Sequence, residues 1–555
     1  MENQRITTNY EGDLAFKLTP ELEFYSKVCT TSLVRTFYVP DTNDQLNSLK
    51  SLVRKLDPEF VAKVAVYARE KMYLRTIPMV LTVELAKVHS KLKQDKKISN
   101  RDDLIRRLAG RVIQRADEIT EMLAYYAKAN KTNWEEYPES GLTKKLGKLS
   151  KQLQYGIADA FEKFDEYQFA KYNRTDKEFT LSDAMFVVHP PRTSQERREL
   201  YQKIIDNALE TPYTWETVIS EAGQTGRPMK EAWEELIDSK RVGYMATLRN
   251  IRNMLKHGVS TEHIQKVCNY IRNPVAVKRS RQLPFRYLSA YRVLVGRPAR
   301  RYGWGRTSYD YSESPTVVFN NEHVRMIAEA LEDAVLASVE NIPVYAHERV
   351  LLATDVSSSM QKPLKIIGES EKQRQKRVKS PEGSAIEQYD IGAVLAMMLA
   401  SKCEKATVGM FGDEWKPIDF PTRNILANAN EIHKREGEVG YSTNGYKVLD
   451  WAIRNSDRVK FDRIFIFTDC QLWDSTGRHL GRGRYNRLWK EYKQIHPEAK
   501  MGIFNLDPAG GDSVPVDVAA GDAYLISGWS DKIFEVLKSL EEGHEALKAI
   551  KEIEL

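Results

Sequence analysis

The chain has 555 residues, of which 42% are hydrophobic and 29% charged, and a formal net charge of +7. That length calls for two domains or more, and the composition is that of an ordinary globular protein. The longest apolar run, residues 391–400, is too short to span a bilayer, and the polar start Met1-Glu2-Asn3-Gln4-Arg5 has no signal core. Cys29, Cys268, Cys403 and Cys470 form no C-x-x-C pair, which argues against a zinc cluster or a disulfide framework and for a cytoplasmic protein.

After the polar start, residues 44–130 read as successive helices. Leu49, Leu52, Val53 and Leu56 recur at helical spacing, as do Phe60, Val61, Val64 and Ala68, then Val80, Leu81, Leu85 and Val88, then Leu104, Ile105, Leu108 and Val112. Pro58 and Pro78 stand where helices begin or break. The pattern continues through 145–275, interrupted at Pro190-Pro191 and at 223–228, with no alternating strand signal. Such paired helices predict a stacked, HEAT-like solenoid, although no strict repeat period is present. Residues 296–316, rich in Gly, Arg, Tyr and Ser, read as a loop before a long helix over 324–339.

The character then changes. Strands are predicted at 349–354, 406–411, 463–468 and 501–506, alternating with helices at 391–401, 448–453 and 531–540. That order calls for a doubly wound α/β sheet with ligands at the carboxyl ends of its strands. The expected division is therefore a helical domain over 1–346 and an α/β domain over 347–555.

Three motifs fall at those strand ends. The first strand stops at Asp355-Val356-Ser357-Ser358-Ser359, a loop carries Tyr441-Ser442-Thr443-Asn444, and the third strand ends in Thr468-Asp469. Asp355, Ser357, Ser359, Thr443 and Asp469 make an all-oxygen set that suits Mg²⁺, or Mn²⁺ or Ca²⁺. Ser442 competes with Thr443 for its place. The competing reading makes Asp355 a helix cap and the serines turn residues. In this order and spacing the three motifs resemble the metal-ion-dependent adhesion site of a von Willebrand factor A domain. The resemblance implies that Asp355, Ser357 and Ser359 touch the metal, that Thr443 joins in one state, and that Asp469 acts through water. No strong base stands beside the set, so holding a ligand is expected rather than hydrolysis, and a metal-dependent nuclease is the weaker reading.

Charge is unevenly spread. Residues 1–350 hold 55 basic against 46 acidic side chains, and 351–555 hold 29 against 31. Residues 251–300 carry 11 basic side chains and a single acid, Glu262, which favours a polyanionic partner. Arg249 and Arg252 lie one turn apart on a helix over 243–254, and a cluster with Arg279, Arg281 and Arg286 follows, with Arg292, Arg297, Arg300, Arg301 and Arg306 beyond it. Upstream, Lys171-Tyr172-Asn173-Arg174 and the run Leu181-Ser182-Asp183 to His189-Pro190 put cations and rings on neighbouring turns. Cations there can neutralise phosphates while Tyr172 or His189 stacks on unpaired bases. Taken singly, His189 reads as a capping or core residue and Tyr172 as a packed one.

These segments resemble the TROVE module of the Ro ribonucleoprotein family, in which a helical repeat ring is closed by a von Willebrand A-like domain. The matching pieces are Arg75-x-x-Pro78, Lys171 to Arg174, the run ending at His189, Thr214-Trp215-Glu216, Met245-Ala246-Thr247-Leu248-Arg249-Asn250, and Leu283-Pro284-Phe285-Arg286-Tyr287-Leu288. The resemblance implies a non-catalytic RNA-binding protein that takes small non-coding Y RNAs on an outer basic surface and 3′ ends of misfolded RNAs through the ring. It also implies an exoribonuclease as a protein partner, with Lys171, Arg174 and His189 among the RNA contacts. Neither DNA nor a membrane is expected as a partner. The alternative is an adhesion-like, metal-dependent protein-interaction module. A charged insertion over 361–384 departs from the family pattern and reads as a solvated segment or an extra contact.

Overall fold

The computed structural model describes residues 6–9, 12–30, 44–94, 102–130, 149–173, 179–296, 320–339, 342–361, 386–421, 424–475, 483–507, 513–542 and 547–555. Two compact units are present. One combines Met1–Thr31, Val218–Lys365 and Glu369–Ala546, and the other Ser32–Thr217, Ile366–Gly368 and Leu547–Leu555. The change from helical to strand–helix sequence near Tyr345 thus lies inside the first of them.

The second unit is helical among its described residues. Its helices begin where side chains can satisfy orphan amides. Asp57 accepts from the Phe60 amide while Pro58 opens helix Pro58–Glu70, and Asp165, Thr180 and Ser194 do the same for Glu166–Tyr172, Leu181–Val188 and Gln195–Ile205. In Leu104–Val112 the buried residues Leu104, Ile105, Leu108, Ala109 and Val112 form one stripe, as their spacing predicts. A buried ionic cluster ties neighbouring helices together. Arg69 donates to both Glu118 oxygens at 2.7 and 2.8 Å, and Arg75 reaches Asp117, Glu118 and Glu121 at 2.7, 2.9 and 2.8 Å.

The first unit holds helices from Met229–Asp238 through Asn321–Ser338 and a six-stranded sheet. Its strands are β3 (Tyr345–Asp355), β4 (Cys403–Phe411), β5 (Trp415–Ile418), β6 (Arg463–Thr468), β7 (Lys500–Asn505) and β9 (Ala523–Ser527), in the order β5-β4-β3-β6-β7-β9. All pairs are parallel except the β4–β5 hairpin. Val350, Leu351, Leu352 and Ala353 are wholly buried, as a central parallel strand covered on both faces requires. From β3 the chain steps to one side for β4 and then to the other for β6, so the topological switch point lies between the carboxyl ends of β3 and β6. This is the layout expected of a von Willebrand A-like domain. Among the described residues no helix is long and apolar enough to cross a membrane. All four cysteines are buried thiols.

The amino-terminal stretch was expected to be only a polar lead-in, and the structure shows more. β1 (Ile6–Thr8) and β2 (Leu14–Lys17) pair with each other, and β2 pairs with β8 (Ser513–Val514) in a small antiparallel sheet. Helix Pro20–Thr30 buries Phe24, Tyr25, Val28 and Cys29. Its Ser26 hydroxyl lies 2.8 Å from that of Ser527 and accepts from Asn505 Nδ2 at 2.9 Å. Strands this short, whose partner comes from the far end of the chain, leave no local periodicity to read.

One buried ion pair links the helical sequence to the sheet. Arg292, on helix Phe285–Val295, donates from Nη1 and Nη2 to the two oxygens of Asp390 at 2.8 and 2.7 Å, with side chains 1% and 0% exposed. Its Nε donates to Asn430, and His433 Nδ1 lies 3.0 Å from Asp390 Oδ1. Burial alone would push the Asp390 carboxyl up, but the Arg292 and His433 charges outweigh it and hold it well below the usual carboxylate range. Arg292→Met strands a buried carboxylate and should cost about 3–5 kcal/mol, read from urea unfolding of the full chain. Adding Asp390→Leu should recover a large part of that loss; no recovery would show that the pair is not the source of the cost.

Candidate functional site

The residues expected to hold a metal lie on loops that meet at the β3–β6 switch point. Asp355 ends β3 with its side chain fully buried, and Ser357 is buried two residues on. The Ser357 amide donates to Asp355 Oδ1 at 2.9 Å, and the hydroxyls of Ser357 and Ser359 lie 3.1 Å apart. Asp469 follows β6, 3% exposed, with Oδ1 accepting from the Gln471 amide at 3.0 Å. Thr443 is likewise buried.

Three loops close on one another around these side chains. The Ser358 amide donates to Tyr441 O at 3.0 Å, joining the first loop to the second. The Trp473 amide donates to Thr443 O at 3.2 Å, joining the second to the third. Thr468 Oγ1 donates to Asp355 Oδ2 at 2.6 Å, joining the third to the first. Gly412 permits the close approach of the second loop, because a Cβ there would collide with the carbonyl of Gly440.

The electrostatics of this site are unusual for a protein interior. Burial first, and the nearby Asp469 carboxylate second, push the Asp355 carboxyl up to about 7, against partial relief from the Thr468 and Ser357 hydrogen bonds. Two desolvated carboxylates with converging serine and threonine oxygens have the donor chemistry of a hard divalent cation, so these residues fit Mg²⁺. Three further contributors have no role assigned from the sequence, although two of them stand inside its motifs. Thr468 holds one Asp355 oxygen. Asn444, 1% exposed, donates to Asp413 O at 3.2 Å and to Ser475 Oγ at 2.8 Å while its own oxygen accepts from the Ser475 amide. Asn9 donates to Leu472 O at 2.8 Å, so the amino-terminal turn braces the loop that carries Asp469. The first two sit beside the motif residues and were open to inference; Asn9 had no signal.

A second cluster, Glu387, Asp390 and His433, brings its ligand atoms within 4.8 Å of one another. It is not a competing metal centre, because both Asp390 oxygens are taken by Arg292.

The residues expected to meet RNA divide between the two units. In the second, Lys171 is exposed at the end of helix Glu166–Tyr172, while Tyr172 is half-buried with the Arg115 guanidinium 4.5 Å from its ring centroid. His189 is exposed and closes helix Leu181–Val188 in the left-handed region, at φ 53°. Arg174 lies outside the described residues, as do Arg297, Arg300, Arg301, Arg306 and the insertion over 362–384. In the first unit, Arg249, Arg279, Arg281 and Arg286 are exposed and Arg252 is half-buried. Helix Pro274–Ser280 ends at Arg281, which turns left-handed before helix Phe285–Val295 begins. Arg249 and Arg286 stand on helices Tyr244–Lys256 and Phe285–Val295, which pack together, and partial loss of solvent first and the Arg249 charge second hold the Arg286 guanidinium below its usual value.

A family model for the TROVE domain matches residues 39–211 and 206–349. Among curated proteins the chain is 24% identical over 327 residues to Telomerase protein component 1 of Rattus norvegicus, spanning 45% of this chain and 12% of that protein. The protein of the same name from Mus musculus is 23% identical over 318 residues, spanning 43% and 11%. The match is thus a small part of those longer proteins. Among solved structures, the crystal structure of the Deinococcus radiodurans Ro (RSR) protein aligns with a TM-score of 0.56 at 16% identity, covering 95% of this chain and all of that one, a likeness of fold. With the family model spanning more than half of its length, the chain belongs to the TROVE-domain family.

Proposed function

We propose that this is a non-catalytic RNA-binding protein of the Ro type, a ribonucleoprotein scaffold or RNA quality-control factor. The observation that carries this reading is the basic surface of the first unit, where Arg249 and Arg286 stand on helices that pack together and Arg279 and Arg281 are exposed nearby in sequence. Like charges held close are costly in isolation and become favourable when phosphates lie across them. Family membership and the Ro-like fold support RNA as the polyanion. On the Ro resemblance the finer assignment is small Y-like RNA on the basic helices, and 3′ ends of misfolded RNA at Lys171, Tyr172, Arg174 and His189. An exoribonuclease is the corresponding protein partner.

The acid site serves a separate task on this reading. Asp355, Ser357, Ser359, Thr443 and Asp469 would hold Mg²⁺, which supplies an open position for an acidic or phosphate ligand. The chain's own part is to keep those oxygens convergent and dry. The buried acid pair also favours a second reading, a metal-dependent protein-interaction module in which the basic face is incidental.

A gel-shift series in rising salt tests the first reading. Small structured RNA should bind with an affinity that falls steeply with salt yet outlasts that of heparin, and Arg279→Ala should weaken binding and reduce the salt slope by about one. Lys171→Ala with His189→Ala should weaken capture of single-stranded 3′ ends. Equal affinity for every polyanion would sink the specificity claim.

Added Mg²⁺ should raise the Tm of the full chain and Asp355→Ala should abolish that rise, since a ligand bound only by the folded state stabilises it. RNA affinity should survive the substitution. If RNA binding is absent from the wild-type protein while Mg²⁺-dependent partner capture is lost in Asp355→Ala, the interaction-module reading stands instead.

A further inference from the structure

The basic surface of the first unit contains an aromatic and apolar island that phosphate binding does not explain. Tyr270 lies on helix Thr261–Ile271, whose buried row is Ile264, Val267, Cys268 and Ile271, and its side chain stands outside that row, 39% exposed. Val275, 74% exposed, is on the next helix, Pro274–Ser280, one turn before Lys278 and Arg279. The Arg279 charge acts directly on the Tyr270 phenol. An exposed ring, an exposed aliphatic side chain and a guanidinium therefore share one small area.

Tyr270 is also held in place. Tyr244 meets its ring edge-on at a centroid distance of 5.5 Å, and Tyr287 meets Tyr244 in the same manner at 6.4 Å. Tyr244 Oη donates to Ile271 O at 2.6 Å. A ring braced from behind by two packed tyrosines loses little entropy when something stacks on it.

A lone exposed tyrosine needs no explanation. This one sits beside Arg279, on a surface whose cations call for phosphate. An A-form duplex shows proteins its phosphates and 2′-hydroxyls, and its bases stay stacked within the helix, so a pinned ring has no partner on duplex RNA. An unpaired nucleotide offers both parts at once, a phosphate for the guanidinium and a π face for the ring.

We propose that Tyr270 is a stacking platform for an unpaired RNA base, with Arg279 on the adjoining phosphate and Val275 at the edge of the base. The site recognises a junction, bulge or tail next to a helix rather than the helix itself. This rests on the RNA-binding reading above and narrows it to RNA with a single-stranded element at this surface.

The test compares Tyr270→Leu, which keeps an apolar side chain on Tyr244, with Tyr270→Phe, which keeps the π face. The probes are a blunt RNA duplex and the same duplex bearing a single-stranded oligoadenosine tail, titrated with the full chain over a range of salt. Tyr270→Leu should weaken binding of the tailed RNA about tenfold, the scale of one base–aromatic stack, and leave the blunt duplex unaffected. The slope against salt should not change, because no phosphate contact is removed. Tyr270→Phe should bind nearly as the wild type does. Equal affinity of Tyr270→Leu and wild type for the tailed RNA would overturn the proposal, and so would an equal loss on both probes. If the wild-type protein binds neither RNA, the RNA-binding reading itself fails and this one falls with it.

Discussion

The first unit depends on one buried charge pair. Arg292 and Asp390 are withdrawn from water almost completely, which costs several kcal/mol per ion unless each finds a full set of partners. Each does. The guanidinium spends both terminal nitrogens on the carboxylate and its Nε on Asn430, and the carboxylate also accepts from the Glu387 amide that opens helix Gln388–Ala400. The arginine comes from the stretch matched by the TROVE model, while the acid, the asparagine and His433 come from the α/β sequence. The pair therefore ties together two stretches of different sequence character, helices such as Phe285–Val295 and the α/β sequence, which lie in one compact unit.

A second buried acid is treated in the opposite way. Asp355 is as deeply buried as Asp390, yet its nearest charged neighbour is another carboxylate, Asp469. Hydrogen bonds from Thr468 and the Ser357 amide orient it without neutralising it. Where the fold supplies an arginine, the acid is structural. Where it supplies hydroxyls and a like charge at a sheet switch point, the arrangement has the chemistry that a small hard cation completes. The same contrast separates the site from the cluster of Glu387, Asp390 and His433, whose donor atoms are close enough for a metal but already committed.

How much of this was legible in the sequence follows from the range of the interactions. The apolar runs of β3, β6 and β7 are continuous because both faces of a central parallel strand are covered, and such runs show in any short window. The buried acids Asp355 and Asp469 were legible for the same reason, since they stand where two of those runs stop. Strands β1, β2 and β8 were not, because each is only a few residues long and the β2–β8 pairing, such as Phe16 with Val514, spans almost the whole chain. The bracing of Leu472 by Asn9 was hidden by the same separation. Strand β9 and the helices at 425–435 and 484–495 also escaped notice. The helix at 484–495 is strongly polar and buries only Tyr485, Trp489 and Tyr492, while the one at 425–435 buries Asn428, Asn430 and His433 among its apolar residues, which blurs the stripe. In the other unit the helical periodicity was plain, but Arg115 covering Tyr172 depends on tertiary packing that no spacing encodes.

Helix Phe285–Val295 joins these threads. Near its start Arg286 is exposed on a face that also carries Arg249, and further along Arg292 is locked by Asp390 to helix Gln388–Ala400, which packs on the sheet. Two like charges on a mobile surface would swing apart and relax. On a helix fixed by a buried, bidentate ion pair they cannot relax by moving the backbone, so part of the cost of holding cations together is met before any ligand arrives. A polyanion binding there gains the relief of that repulsion without first having to order the surface. The buried pair that unites helices and sheet thereby also sets how well the basic face is organised for its partner.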